Sequence, residues 1–125
     1  MTEINIKVVV WVLVILLIID AIYITIFSNY FIKLFESVQK TPFKFRYESG
    51  IMTYFLMTFT VYYFGFVKNF SNLDMFILGA CVYGTYDLTN YSTFKNWNLS
   101  TVLLDTTWGG VLYCSTVYII KKLIL

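Results

Sequence analysis

VVVWVLVILLIIDAIYITIF, residues Val8–Phe27, runs for twenty residues with one charged side chain, Asp20. A helix rises about 1.5 Å per residue, so this run covers a hydrocarbon core roughly 30 Å thick. Three more apolar runs follow it: Ile51–Val67, Met75–Phe94 and Val102–Ile120. Of the 125 residues, 59% are hydrophobic and 13% charged, too little charge to cover the surface of a soluble domain. The expectation is an all-α, multi-pass integral membrane protein. Its four transmembrane helices form an antiparallel bundle, and residues 1–125 make a single domain. The first run exceeds a signal-peptide core and has no small-residue cleavage pattern, so it reads as a retained helix.

The connections are unequal. Lys68–Asp74 and Lys95–Thr101 are short and make hairpins of their neighbours. Ser28–Gly50 is longer, with Phe31, Leu34, Phe35 and Val38 at helical spacing opposite Lys33, Glu36 and Lys40. The first helix therefore either continues as an amphipathic extension or turns along the membrane surface, and Pro42 ends it. Lys7, Lys68, Lys121 and Lys122 fall on one side; Lys33, Lys40, Lys44, Arg46 and Lys95 fall on the other. Positive charge so evenly divided sets no orientation.

Several function classes drop out on composition. Histidine is absent, which removes Ser-His and Cys-His chemistry and disfavours haem and zinc. Cys81 and Cys114 lie inside apolar runs and read as packing residues. A net charge of +2, scattered along the chain, does not suit nucleic-acid binding. No cofactor motif is present. Clustered carboxylates could hold a hard cation such as Mg2+ or Ca2+, but no familiar metal-dependent spacing accompanies them, and no metal site is assigned.

The acids carry the functional signal. Asp20 and Asp87 each stand seven residues before the end of a run, and those two runs point the same way. Both therefore lie about 10 Å below the Ser28–Gly50 face, and Asp105, near the start of the fourth run, lies about 5 Å below it. An ionised carboxylate facing lipid costs at least roughly 2.5–3.5 kcal/mol, so such acids must be protonated, paired or hydrated. If the three meet, they cannot all ionise, and protons are shared. Lys33, Arg46 and Lys95 are candidate counter-charges. Tyr83, Gly84, Asp87, Asn90 and Tyr91 share one helical face; Asp105, Trp108, Gly109 and Leu112 share another. Ala80 with Gly84, and Thr106 with Gly110 and Cys114, form small-xxx-small patterns that permit close helix approach. Glycine beside Trp108 would let a neighbouring backbone press on the indole. Asn90, Thr89 and Thr106 read first as interhelical hydrogen-bonding residues. The candidate ligand or proton site is Asp20, Asp87, Asp105, Tyr86, Asn90 and Trp108, with Lys95 and Trp97 forming the turn.

TYDLTNYSTFKNW, followed by LLDTTWGGVLY, resembles the C-terminal signature of the domain of unknown function 2177 family of small four-helix membrane proteins. Tyr86, Asp87, Leu88, Thr89, Asn90, Lys95, Trp97, Asp105, Trp108 and Gly109 carry the likeness. Asn96 and Asn98 stand where that pattern has Gly and Pro. The resemblance implies a four-helix integral membrane protein and no established activity. The association of family members with lipid-modification genes points to a lipid or apolar ligand.

Three functions compete on the sequence. The acid layer favours proton-linked binding or transport of a small apolar or cationic ligand, which calls for a homodimer, since four helices alone enclose little space. A membrane-embedded lipid-modifying enzyme or accessory would use Asp87 or Asp105 as general acid-base, but no catalytic motif marks one. An assembly protein would use the same residues to lock the bundle.

Overall fold

The computed structural model describes residues 3–125 as four helices with no strand among the described residues. Helix α1 spans Ile6–Gln39, α2 Tyr47–Tyr62, α3 Asn72–Thr93 and α4 Leu99–Ile119. Five-residue π-helical turns, Tyr63–Val67 and Ile120–Ile124, extend α2 and α4. Two helices are long and apolar enough to cross a membrane, Ile6–Gln39 and the continuous stretch Tyr47–Val67. The chain is an all-α membrane protein. Helices α3 and α4 have the length, at 22 and 21 residues, but their acids and hydroxyls make them more polar than the sequence runs suggest.

The β-branched residues of α1 have modest helix propensity, yet in lipid a helix is the form that satisfies every backbone group within one segment. Asn5 caps it by accepting from the Val8 amide at 3.3 Å. Its 34 residues make about 51 Å of helix, far more than the core of a bilayer, so the Phe31–Val38 stripe continues α1 instead of folding along the surface. Lys40 then adopts a left-handed conformation (φ 62°), its amide bonds back to the Glu36 carbonyl at 2.9 Å, and Pro42 follows.

Contacts fix the directions. Asn5 meets Tyr62 and Asp20 meets Tyr54, so α1 and α2 are antiparallel. Asp20 meets Trp108 and Tyr30 meets Asn98, which sets α1 against α4 in the same way. The closest approach is between α3 and α4. A Cβ on Gly79 would land on the Gly109 carbonyl oxygen, and one on Gly109 would land on that of Gly79. On either side, Gly110 takes the Phe76 ring and Gly84 faces Thr106 Oγ1 at 3.1 Å from an ideal Cβ. The small-residue seam therefore centres on Gly79 rather than on the Ala80–Gly84 pair. Gly109 receives the Tyr83 ring and the Gly79 backbone, where the sequence suggested a backbone pressed on Trp108.

Two apolar clusters result. The larger joins Val8, Val12 and Leu16 of α1 to Val61, Met75, Leu112 and Val117. The smaller, toward the Ser28–Gly50 face, gathers Leu34, Trp97 and Val102 with Phe31, Phe35 and Val38. The three aspartates lie along α1, α3 and α4 between these clusters. Hydroxyls on α3 need no outside partner: Thr85, Thr89, Ser92 and Thr93 each donate to the carbonyl four residues back.

Gly79→Val forces two backbones apart with no flexible side chain to yield. It should cost about 1–3 kcal/mol or more in a detergent unfolding titration. Leu56→Val, on the exposed face of α2, should stay within about 0.5 kcal/mol of the parent.

Candidate acid site

Asp20, on the buried stripe of α1, takes two donors from two other helices. Its Oδ1 accepts from Trp108 Nε1 of α4 at 3.0 Å, and its Oδ2 accepts from the Tyr54 hydroxyl of α2. Asp105 Oδ1 accepts from the Tyr23 hydroxyl at 2.5 Å. Tyr23 stands three residues beyond Asp20 on α1, and its ring stacks on the Trp108 indole with centroids 4.4 Å apart and planes 4° from parallel. The result is a continuous chain: Tyr54 to Asp20, Asp20 to Trp108, indole on phenol, Tyr23 to Asp105. Its donors are neutral O–H and N–H groups. Such groups satisfy a buried carboxylate without bringing a second charge out of water.

Asp87 differs. It is 0% exposed and lies beside Asp105 and the Trp97 indole. Neither of its oxygens has a hydrogen-bond partner among the described residues, and neither has Trp97 Nε1. A buried carboxyl without a donor is costly unless it carries a proton or gains a partner.

A cavity of about 330 Å³ reaches this layer from the Ser28–Gly50 side. Asp20 and Asp105 form its polar floor; Tyr23, Phe31, Phe35 and Tyr83 supply aromatic wall. The connection after α1 closes over it with Phe43 and Phe45.

Of the residues singled out from sequence, Asp20, Asp87, Asp105 and Trp108 converge. Tyr86 does not: it is 55% exposed on the outer side of α3 and meets Trp97 edge-on at 6.2 Å. One residue along a helix is a rotation of about 100°, which carries Tyr86 away from the face of its neighbour Asp87. Asn90 is half-buried beside Tyr86, and Tyr91 is exposed. Lys95 is an exposed turn residue, whereas Trp97 is a buried anchor of the smaller cluster. Lys33, Arg46 and Lys95 are all exposed, and the bonds to Asp20 and Asp105 come from Tyr54, Trp108 and Tyr23 instead. Gly84, Gly109 and Gly110 line the α3–α4 seam.

Sequence reasoning placed Tyr83 on the Asp87 face without giving it a role, and it passed over Tyr23 and Tyr54. Tyr23 carried a usable signal, a three-residue offset from Asp20 on one face. Tyr54 had none, since its role depends on how α2 is rotated against α1.

Removing a donor should matter more than neutralising the unpartnered acid. Tyr54→Phe strands one oxygen of Asp20 and should cost about 1–3 kcal/mol in thermal or detergent unfolding. Asp87→Asn removes a carboxyl that no donor serves and offers an amide N–H toward Asp105. Its stability should be unchanged or raised in the same assay.

Searches of curated proteins and of solved structures returned no match to this chain. The family model for "Predicted membrane protein (DUF2177)" matches residues 5–120, a stretch that includes all four helices and the three aspartates. The chain belongs to that family.

Proposed function

We propose that this is a multi-pass membrane protein, crossing the bilayer four times, whose acid layer binds a small cationic or apolar cation-bearing ligand in exchange for a proton. The observation that carries the reading is the aromatic-walled cavity with Asp20 and Asp105 at its floor. Four crossings are supported by the self-bonded hydroxyls of α3 and by those of Ser115 and Thr116, which donate to carbonyls four residues back on α4. Such helices present few unsatisfied groups to lipid.

Carboxylates attract a cation, and the faces of Tyr23, Phe31 and Tyr83 add cation–π attraction. The groups facing the acids are Tyr23 from α1, Tyr54 from α2, Tyr83 from α3 and Trp108 from α4, none of them basic. Without a fixed positive charge beside them, the neighbouring carboxyls Asp87 and Asp105 do not both ionise, and one of the pair keeps a proton. An arriving cation supplies the missing charge and releases it. The cavity lies within one chain, so the reading does not rest on a second copy. Asp20, bonded to both α2 and α4, also cross-links the bundle, which makes Asp105 and Asp87 the exchanging pair.

Benzyltrimethylammonium binding to purified protein tests this. Proton and cation compete, so affinity should strengthen as pH rises, with proton release on binding. Asp105→Asn should weaken binding about tenfold or more, a loss of about 1.4 kcal/mol, and flatten the pH dependence. Equal affinity in parent and variant, independent of pH, would contradict the reading.

A further inference from the structure

A second cavity, of about 310 Å³, lies in the crevice between α1 and α2. Leu13 and Leu17 line it from α1, Ile51 and Phe55 from α2. Leu17, Ile51 and Phe55 are exposed on the outside of the bundle, where lipid lies in a membrane-spanning arrangement. The crevice is almost wholly apolar, and it abuts the acid cavity at two side chains. Tyr54 lines the crevice and donates its hydroxyl to Asp20 on the floor of the acid cavity. Phe45 lines both spaces.

Phe45 sits on the non-helical connection between α1 and α2, and its ring lies over Gly50. A Cβ at Gly50 would come within 2.8 Å of Phe45 Cε1, so glycine makes the seat for the ring. Its third neighbour is a polar cavity lined by Gln39, Lys44, Arg46 and Glu48. One aromatic side chain thus borders an acid floor, a lipid-facing crevice and a charged surface.

We infer that the acid cavity and the α1–α2 crevice form one bipartite site for a single-chain cationic amphiphile. The ammonium head lies at Asp20 and Asp105, and the alkyl tail passes Phe45 and Tyr54 into the crevice. This rests on the proposed cation-binding function and names the class of its ligand. Charge fixes the head, since Asp20 and Asp105 are the acids on the cavity floor. Polarity fixes the tail, since the way past Lys44 and Arg46 would strand an alkyl chain among charged groups. Depth agrees: Leu13 is seven residues from Asp20, so the crevice reaches about 10 Å deeper than the acid, across the middle of the apolar core.

Photolabelling with dodecylamine carrying a diazirine at the tail end, followed by peptide mapping, tests the arrangement. The label should fall on Leu13, Leu17, Ile51 or Phe55 and be displaced by excess benzyltrimethylammonium. Ile51→Trp fills the crevice from an exposed position; it should lose the tail label while still binding benzyltrimethylammonium. Displaceable label on Phe31, Phe35 or Lys44 would overturn the inference and leave the cation site standing. So would the absence of displaceable label in protein that still binds the ammonium. Protein that binds neither probe would overturn the cation site itself, and the bipartite site with it.

Discussion

Three carboxyls inside a helical bundle, with no basic side chain beside them among the described residues, set the terms for the rest of the molecule. Each must find a donor, share a proton or pay several kcal/mol of desolvation. Tyrosine and tryptophan meet most of that demand. Tyr54 and Trp108 draw α2 and α4 onto Asp20, and Tyr23 draws α4 onto α1 a second time through Asp105. Interhelical hydrogen bonds in lipid contribute about 0.6–2 kcal/mol each, and they act alongside the close packing of small residues that also draws helices together there.

The α3–α4 seam decides where the third acid goes. Because Gly79 and Gly109 let two backbones touch, Asp87 is carried against Asp105 and out of reach of solvent. Trp97 and the extended end of α1 then close the layer on one side, and the larger apolar cluster closes it on the other. The acid pair is enclosed by packing rather than neutralised by partners. That is the arrangement a site needs if its charge is to be completed by a ligand.

Much of the helix plan is legible in the sequence, because lipid imposes length and polarity rules that local composition must obey. The period of Phe31, Leu34, Phe35 and Val38 marks a helix, while its continuation straight from α1, which that period left open, is seen only in the structure. Relative depth also follows from counting: Asp105 is counted about 5 Å nearer the Ser28–Gly50 face than Asp20, and Tyr23, three residues beyond Asp20 toward that face, is the residue that bonds to Asp105. Rotation and partner choice are not legible in this way. Tyr54 becomes a donor, and Phe45 a divider, only once α2 is set against α1. Gly79 outranks Gly84 because the crossing point falls one turn deeper than the small-residue pattern suggested. Tyr86 shares a motif with Asp87 and still faces outward, since sequence adjacency is not facial adjacency on a helix.

Infrared difference spectroscopy at neutral pH tests the central claim directly, that the enclosed acid pair holds a proton which a bound cation displaces. Adding benzyltrimethylammonium to the parent protein should remove a protonated-carboxyl C=O band and raise carboxylate bands. In Asp87→Asn that loss should be absent. A carboxyl region that does not change on binding in the parent would contradict the account.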